Sequence, residues 1–69
     1  MDEKLKLFGR RLKLRRLELG FTQSYMAQKI GVSQNVYSLN ERNINVMPLD
    51  RLFKIAEILN LKISFEVIE

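Results

Sequence analysis

Hydrophobic residues recur at helical spacing through most of this chain, and short breaks divide them into segments. The first segment predicts a helix over residues 2–19, ended by Gly20, because glycine readily takes the left-handed conformation found just past helix ends. The second predicts a short helix that begins after the N-cap Thr22 and ends near Ile30, with Gly31 beyond it. Two helices are therefore expected before the middle of the chain.

The third segment predicts a helix from its N-cap Ser33 to about Arg42, with Asn43 in the left-handed position after it. Residues 43–47 form a loop, and Pro48 fits the first turn of a fourth helix, where its missing N–H is no loss. The core is expected to come from one face of the first helix and one face of the fourth. These predicted core residues are Leu5, Phe8, Leu12, Leu49, Leu52, Phe53, Ile55, Ala56 and Leu59.

The end of the chain changes from helical spacing to alternation of apolar and polar residues. Ile63, Phe65 and Val67 fall on one side of an extended segment. A lone strand has no partner in a helical chain, and the same strand from a second copy across a two-fold axis would supply one. The sequence predicts a helical domain over residues 1–60 and a dimerising strand over residues 61–69.

Size and composition exclude several kinds of site. A chain of 69 residues makes one small domain, which buries only about 60% of its unfolded surface. It has no Cys and no His, which excludes disulfides, thiolate or imidazole metal sites, and Cys/His or Ser/His catalytic groups. The acidic residues show no metal-binding or paired-acid spacing. We expect no cofactor, no metal and no enzyme activity, and self-association as the support for a small core.

The chain also lacks membrane signals. No apolar run approaches the ~18 residues of a membrane span, and the N-terminus lacks the apolar core of a signal peptide. The sequence therefore predicts a cytoplasmic protein with no membrane partner.

Positive charge is concentrated near the N-terminus. The formal charge is +4, from 12 basic and 8 acidic residues. The basic residues in the first 20 are Lys4, Lys6, Arg10, Arg11, Lys13, Arg15 and Arg16. Such a distribution favours a polyanion partner, and a solvated basic helix face is the alternative. For the stripe formed by Lys6, Arg10 and Lys13, solvent is the simpler interpretation, and phosphate or an acidic protein is the second.

Residues 22–42 form a helix, a tight turn and a helix, and short polar residues begin the second of these helices. The second helix of such a unit can enter the major groove of DNA. Gln34 and Asn35 carry paired donor and acceptor groups that match adenine edges there. Ser33 and Ser38 can bond bases or phosphates. Many helix pairs of this kind only pack together, and that alternative stays open on spacing alone.

Two further residues suit contacts with the DNA backbone. Gln23 lies in the first turn of the predicted second helix, where its amide can donate to a phosphate beside the free N–H groups of the helix end. Arg42 can bond phosphate from the far end of the third helix.

A series of motifs runs through the same region. The series begins with a glycine, a hydrophobic residue and Thr-Gln. It continues with an apolar residue followed by Ala, then with Gly-Val-Ser, and it ends with a Glu near the end of the third helix. The residues are Gly20, Phe21, Thr22, Gln23, Met26, Ala27, Gly31, Val32, Ser33 and Glu41. This series resembles the lambda-repressor-like (Xre/Cro) helix-turn-helix family over about residues 8–60. The resemblance implies an all-α, compact domain of four to five helices that binds double-stranded DNA and regulates transcription.

The resemblance also implies individual roles. Gln23 would touch the DNA backbone and Arg42 would lie near phosphate. The residues facing the groove would be Ser33, Gln34, Asn35, Ser38 and Leu39. Arg16 and Glu41 would form a structural ion pair. Leu39 has no hydrogen-bonding group, so it would press on a thymine methyl or pack inward.

Several features depart from the common family pattern, among them Leu39, Asn40 and the loop 43–47 without a glycine, and two more bear on the site and the assembly. Tyr25 stands where Glu is usual, so the capping box is missing, and the ring would either cover the helix or stack on a sugar. The C-terminal strand resembles antitoxins of the HipB type, in which strands from two subunits pair. That resemblance implies a homodimeric repressor on an inverted repeat in the nucleoid of a prokaryote or phage, with a cognate toxin protein as a further partner. The alternative is a protein-interaction module that kept the fold and lost DNA reading.

Overall fold

The computed structural model describes residues 3–64 and 67–68 of the chain. The helices are α1 (Glu3–Glu18), α2 (Gln23–Ile30), α3 (Gln34–Arg42), a 3-10 turn (Ile44–Val46) and α4 (Leu49–Ile58). This confirms the predicted all-α class, and no β-strand occurs within the described residues. None of the described helices has the length and hydrophobicity needed to cross a membrane.

Local hydrogen bonds fix the ends of α2 and α3 where the sequence predicts them. The hydroxyl of Thr22 accepts from the N–H of Tyr25 at 2.9 Å, and that of Ser33 accepts from the N–H of Val36 at 3.2 Å. Gly31 closes α2 with a φ of 87°, in the left-handed region that glycine enters without a steric penalty. The turn between the two helices is therefore short and fixed.

The residue that follows α3 and the residue that precedes α4 differ from prediction. Asn43 has a φ of −138° and a ψ of 77°, so its predicted left-handed conformation is wrong. The chain continues directly into the 3-10 turn, because Ile44 must enter the core immediately after α3. Among the described residues other than glycine, the one in the left-handed region is instead Asn60, with a φ of 56°, beyond α4. Pro48 precedes α4 as its N-cap residue and does not lie in the first turn.

The core lies where all four helices meet. Its buried apolar residues are Leu12, Met26, Ala27, Tyr37, Ile44, Ile55 and Leu59. Ala56 is also buried and Leu52 is half-buried. The predicted core residues that the structure leaves exposed are Leu5, Phe8, Leu49 and Phe53. Helical spacing identifies one face of a helix, but the packing between helices decides how much of that face is covered.

A buried glycine brings α1 close to α3. A Cβ atom at Gly9 would lie 3.1 Å from the carbonyl oxygen of Glu41 and 4.0 Å from the Cβ atom of Ile44. Any larger residue would therefore push α1 away from the end of α3. The sequence pattern did not indicate this packing role, which places the first half of α1 beside the candidate reading helix.

The C-terminal segment has no regular secondary structure over residues 61–64 and 67–68. Ile63 is half-buried and helps line a groove beside α1 and α4, whereas Val67 is 89% exposed. Phe65, the third residue of the predicted dimer strand, lies outside the described residues. Since a strand that pairs between copies has no partner in one chain, the dimerising strand stays a prediction.

Candidate nucleic-acid interface

A buried ion pair joins α1 to α3. The guanidinium of Arg16 donates to both carboxylate oxygens of Glu41, from Nε to Oε2 at 2.8 Å and from Nη2 to Oε1 at 3.0 Å. Its third donor, Nη1, reaches the carbonyl oxygen of Phe21 at 2.8 Å. Arg16 is 6% exposed and Glu41 is 7% exposed. Arg16 therefore fixes α3 and the segment before α2 to the same point on α1.

Two further side chains complete the surroundings of this carboxylate. Gln23 donates from its amide nitrogen to Oε1 of Glu41 at 3.3 Å, and the hydroxyl of the buried Tyr37 also hydrogen-bonds Glu41. No buried side-chain nitrogen or oxygen among the described residues lacks a hydrogen-bond partner. The network is therefore internally satisfied, as a buried charge requires.

The network shifts the pKa values of its members. Burial by itself would raise the pKa of Glu41, but hydrogen bonds from Arg16, Tyr37 and Gln23 outweigh it, so this pKa lies below its ordinary value. Burial, and then the hydrogen bond to Glu41, raises the pKa of Tyr37 above its usual range. The hydrogen bond to Glu41 likewise raises the pKa of Arg16, despite the opposing effect of burial. At neutral pH the network holds one carboxylate and one guanidinium.

Opposite the buried face, α3 presents the predicted groove-facing residues. Gln34 and Asn35 are exposed in its first turn, and Leu39 is 43% exposed one turn later. Of the two placements considered for Leu39, the structure shows the exposed one. Ser33 is exposed and uses its oxygen for the helix cap, while Ser38 is half-buried.

Gln23 connects two clefts on this side of the molecule. A cleft of about 480 Å³ at the start of α2 is lined by Gln23 and Gln34, among others. A second, of about 420 Å³ between α1 and α3, is lined by Gln23, Ser38 and Arg42. Arg42 is exposed, with its Nε 3.4 Å from the carbonyl oxygen of Ser38. The two clefts thus place the predicted backbone-contact residues Gln23 and Arg42 beside two of the predicted groove-facing residues, Gln34 and Ser38.

Tyr25 lies to one side of this surface and covers the core. Its ring centroid is 4.5 Å from that of Phe21, and the ammonium of Lys29 lies 5.6 Å from the Tyr25 ring centroid. The ring is half-buried against the hydrophobic cluster. Of the two interpretations of Tyr25, covering the helix is the one that its contacts match.

Sequence reasoning missed two polar contacts that hold α4 in place. Asn40 is 3% exposed, and its side-chain oxygen accepts from Nη1 of Arg51 at 2.9 Å. Arg15 donates from Nε to the carbonyl oxygen of Leu59 at 2.9 Å. Asn40 lies three positions after Tyr37 on the buried face of α3, and a polar residue at such a position indicates that a hydrogen-bond partner is needed there. Nothing in the local pattern indicates the second contact.

Comparison with known proteins gives one match. A family model described as helix-turn-helix matches residues 12–65 of the chain, which include α2, α3, α4 and both members of the buried ion pair. Searches of curated proteins and of solved structures returned no match.

The buried pair predicts that folding is sensitive to acid. Since the pKa of Glu41 is lowered from 4.5 in the folded state, its contribution to the free energy of unfolding is present above pH 4.5. That contribution is lost as the pH falls through the folded-state pKa. Glu41→Gln should lower the free energy of unfolding at pH 7 by ~3 kcal/mol. On acidification, the free energy of unfolding of this variant should fall by less than that of wild type. Urea unfolding at neutral and acidic pH measures both quantities.

Glu57→Gln is the matched control for this prediction. Glu57 is exposed on α4 and forms no ion pair with the described residues. Its substitution should leave the pH dependence close to that of wild type. If the Glu41 variant lost as much stability on acidification as wild type, the assignment of acid sensitivity to this pair would be wrong.

Proposed function

Because this chain belongs to the helix-turn-helix family, whose fold is that of DNA-binding transcription regulators, we propose that it is a sequence-specific regulator that reads double-stranded DNA with α3. The observation that carries the proposal is the two-sided character of this helix. Tyr37, Asn40 and Glu41 hold one side in the core, while the polar residues of its first turn are exposed. The family is generally not enzymatic.

Base reading is assigned to the exposed residues of α3. The amides of Gln34 and Asn35 each present a donor and an acceptor, the pair of groups that matches N6 and N7 of adenine in the major groove. Leu39, one turn further on, supplies an apolar contact for a thymine methyl. Ser33 and Ser38 add hydroxyl groups that bond to bases or phosphates.

Backbone positioning is assigned to Gln23 and Arg42. One amide hydrogen of Gln23 is used by Glu41, and the other is available for a phosphate at the start of α2, where the helix end also favours an anion. Arg42 is exposed at the far end of α3. Contacts of this kind set the register of the protein on the duplex and carry no sequence information themselves.

The proposed assembly is a homodimer joined through the C-terminal segment. The alternating residues Ile63, Phe65 and Val67 would form a strand paired with its two-fold copy, which satisfies backbone groups that one chain leaves open. A fixed dimer would place the two reading helices about 34 Å apart, which suits an inverted repeat.

The proposed regulation is repression, exerted in the nucleoid of a prokaryotic or phage-infected cell, because an occupied operator is sufficient to block transcription. The same architecture suits an antitoxin whose cognate toxin protein binds away from α3. Support for the antitoxin comes from the pattern of the C-terminal segment alone.

Substitutions in α3 test direct readout. Gln34→Ala and Asn35→Ala should each weaken binding to the preferred site by ~1–3 kcal/mol, with little effect on random duplex, because each removes a paired contact to a base. Fluorescence anisotropy at one fixed salt concentration measures both affinities. Gln28→Ala, an exposed position on α2, should change neither. Equal losses on both DNAs would rule out base reading by these residues.

Selection from random duplex DNA tests the function itself. We expect an enriched inverted repeat with half-sites one helical turn apart, about 10 base pairs, because a two-fold dimer presents two copies of α3. A single enriched half-site would contradict the fixed dimer. Failure to enrich any sequence would favour the protein-interaction module instead.

Truncation tests the C-terminal strand. Deletion of residues 62–69 should convert the dimer to a monomer, as measured by light scattering or sedimentation equilibrium. Within the full chain, Ile63→Lys places a charge on the apolar side of the strand and should also dissociate the dimer. Ser64→Lys, on the polar side, is the control and should not. An unchanged mass after the deletion would refute strand pairing.

A further inference from the structure

The cleft between α1 and α3 contains a row of positive charge that the proposed reading helix does not explain. We name the α1 stripe for Lys6, Arg10 and Lys13, whose spacing of four and three residues places them on one face of the helix. All three are exposed and line the cleft of about 420 Å³. Gln23, Ser38 and Arg42 line the same cleft from the other side.

The acidic groups of the described residues leave most of the positive charge in this cleft unbalanced. Glu41 also lines it, but the guanidinium of Arg16 holds both of its carboxylate oxygens. Nζ of Lys6 lies 3.9 Å from Oε1 of Glu3, whose side chain is 84% exposed. In an ion pair so exposed to solvent, another anion readily replaces the carboxylate. Within the described residues, Arg10 and Lys13 have no ion pair. An anion is therefore the complementary ligand.

The dimensions of the stripe suit a nucleic-acid backbone. Seven residues of α-helix separate Lys6 from Lys13, a distance of about 10 Å along the axis. Phosphates advance by about 3.4 Å along the duplex axis on each strand, and they also turn about that axis. A stripe of this length is therefore long enough to contact more than one phosphate of a strand. Gly9 permits the close approach that keeps the stripe beside α3, since its Cβ position is only 3.1 Å from the Glu41 carbonyl oxygen.

We infer that the α1 stripe is a second phosphate-binding surface, which holds the sugar–phosphate backbone bordering the groove entered by α3. The inference rests on the proposed function, because Ser38 and Arg42 of α3 share the cleft. Lys6 and Arg10 precede residue 12, where the family match begins. Two of the three cations of the stripe therefore lie in the first half of α1, before the matched helix-turn-helix region, and Lys13 lies just inside it.

The test is the salt dependence of binding. In Lys6→Gln/Arg10→Gln/Lys13→Gln, affinity for the selected operator and for random duplex should fall by the same factor, because phosphate contacts do not depend on sequence. The slope of log affinity against log salt should shrink by about 2.7 per protomer, or about 0.9 for each cation removed from the stripe. Between about 50 and 200 mM NaCl, wild type should therefore lose about 40-fold more affinity per protomer than the variant.

A control with the same change in net charge separates the stripe from a general charge effect. Arg11→Gln/Lys29→Gln/Lys54→Gln alters three exposed cations that do not line the cleft, and its salt slope should match wild type. The charge-preserving variant Lys6→Arg/Arg10→Lys/Lys13→Arg should also keep the wild-type slope. Far-UV circular dichroism checks that each variant folds.

Other outcomes overturn the inference. Equal reductions of slope in the stripe and control variants would show that only net charge matters. If wild type bound DNA and the stripe variant kept the wild-type slope, the stripe would not bind phosphate and an acidic protein would be its partner instead. The proposed function would stand. A reduction in affinity confined to the operator would indicate base contacts. If wild type bound no DNA, the proposed function and this inference would both fail.

Discussion

The position of α3 depends on the bond between Arg16 and Glu41. One guanidinium binds both oxygens of one carboxylate and also the carbonyl oxygen of Phe21, so three segments meet at a single charged group. Removal of either partner would leave a buried charge unpaired, at a cost of about 3–5 kcal/mol. The free energy of unfolding of natural domains is only about 5–15 kcal/mol. The cost of breaking this pair is therefore a large fraction of the stability of a small domain.

The same pair connects stability to the surface proposed to face DNA. Glu41 accepts the amide of Gln23, and thereby orients the residue that lies between the two clefts beside α3. Because the polar groups on the inner side of α3 are satisfied within the protein, Gln34 and Asn35 on its outer side stay available for an external partner. A helix that is fixed on one side and open on the other is suited to reading a groove.

The elements that the sequence alone determined are those set by interactions between near neighbours. Thr22 and Ser33 cap their helices through side-chain hydrogen bonds from backbone N–H groups three residues later. Gly31 ends α2 because its backbone takes the left-handed conformation. Such interactions span one turn, so a local pattern contains all the partners. The boundaries of the helix-turn-helix and the exposed start of α3 follow from them, as does the all-α class.

Only the tertiary structure decided which faces are covered and which distant groups meet. Phe8 and Phe53 have core spacing and yet are exposed, because coverage depends on which other elements pack against that face. Asn40 is buried, and its side-chain oxygen is satisfied by the guanidinium of Arg51, eleven residues away. Gly9 sets the approach of α1 to α3 through a contact with a residue 32 positions later. Periodicity specifies the direction a residue faces on its own helix, and packing between helices decides what it meets there.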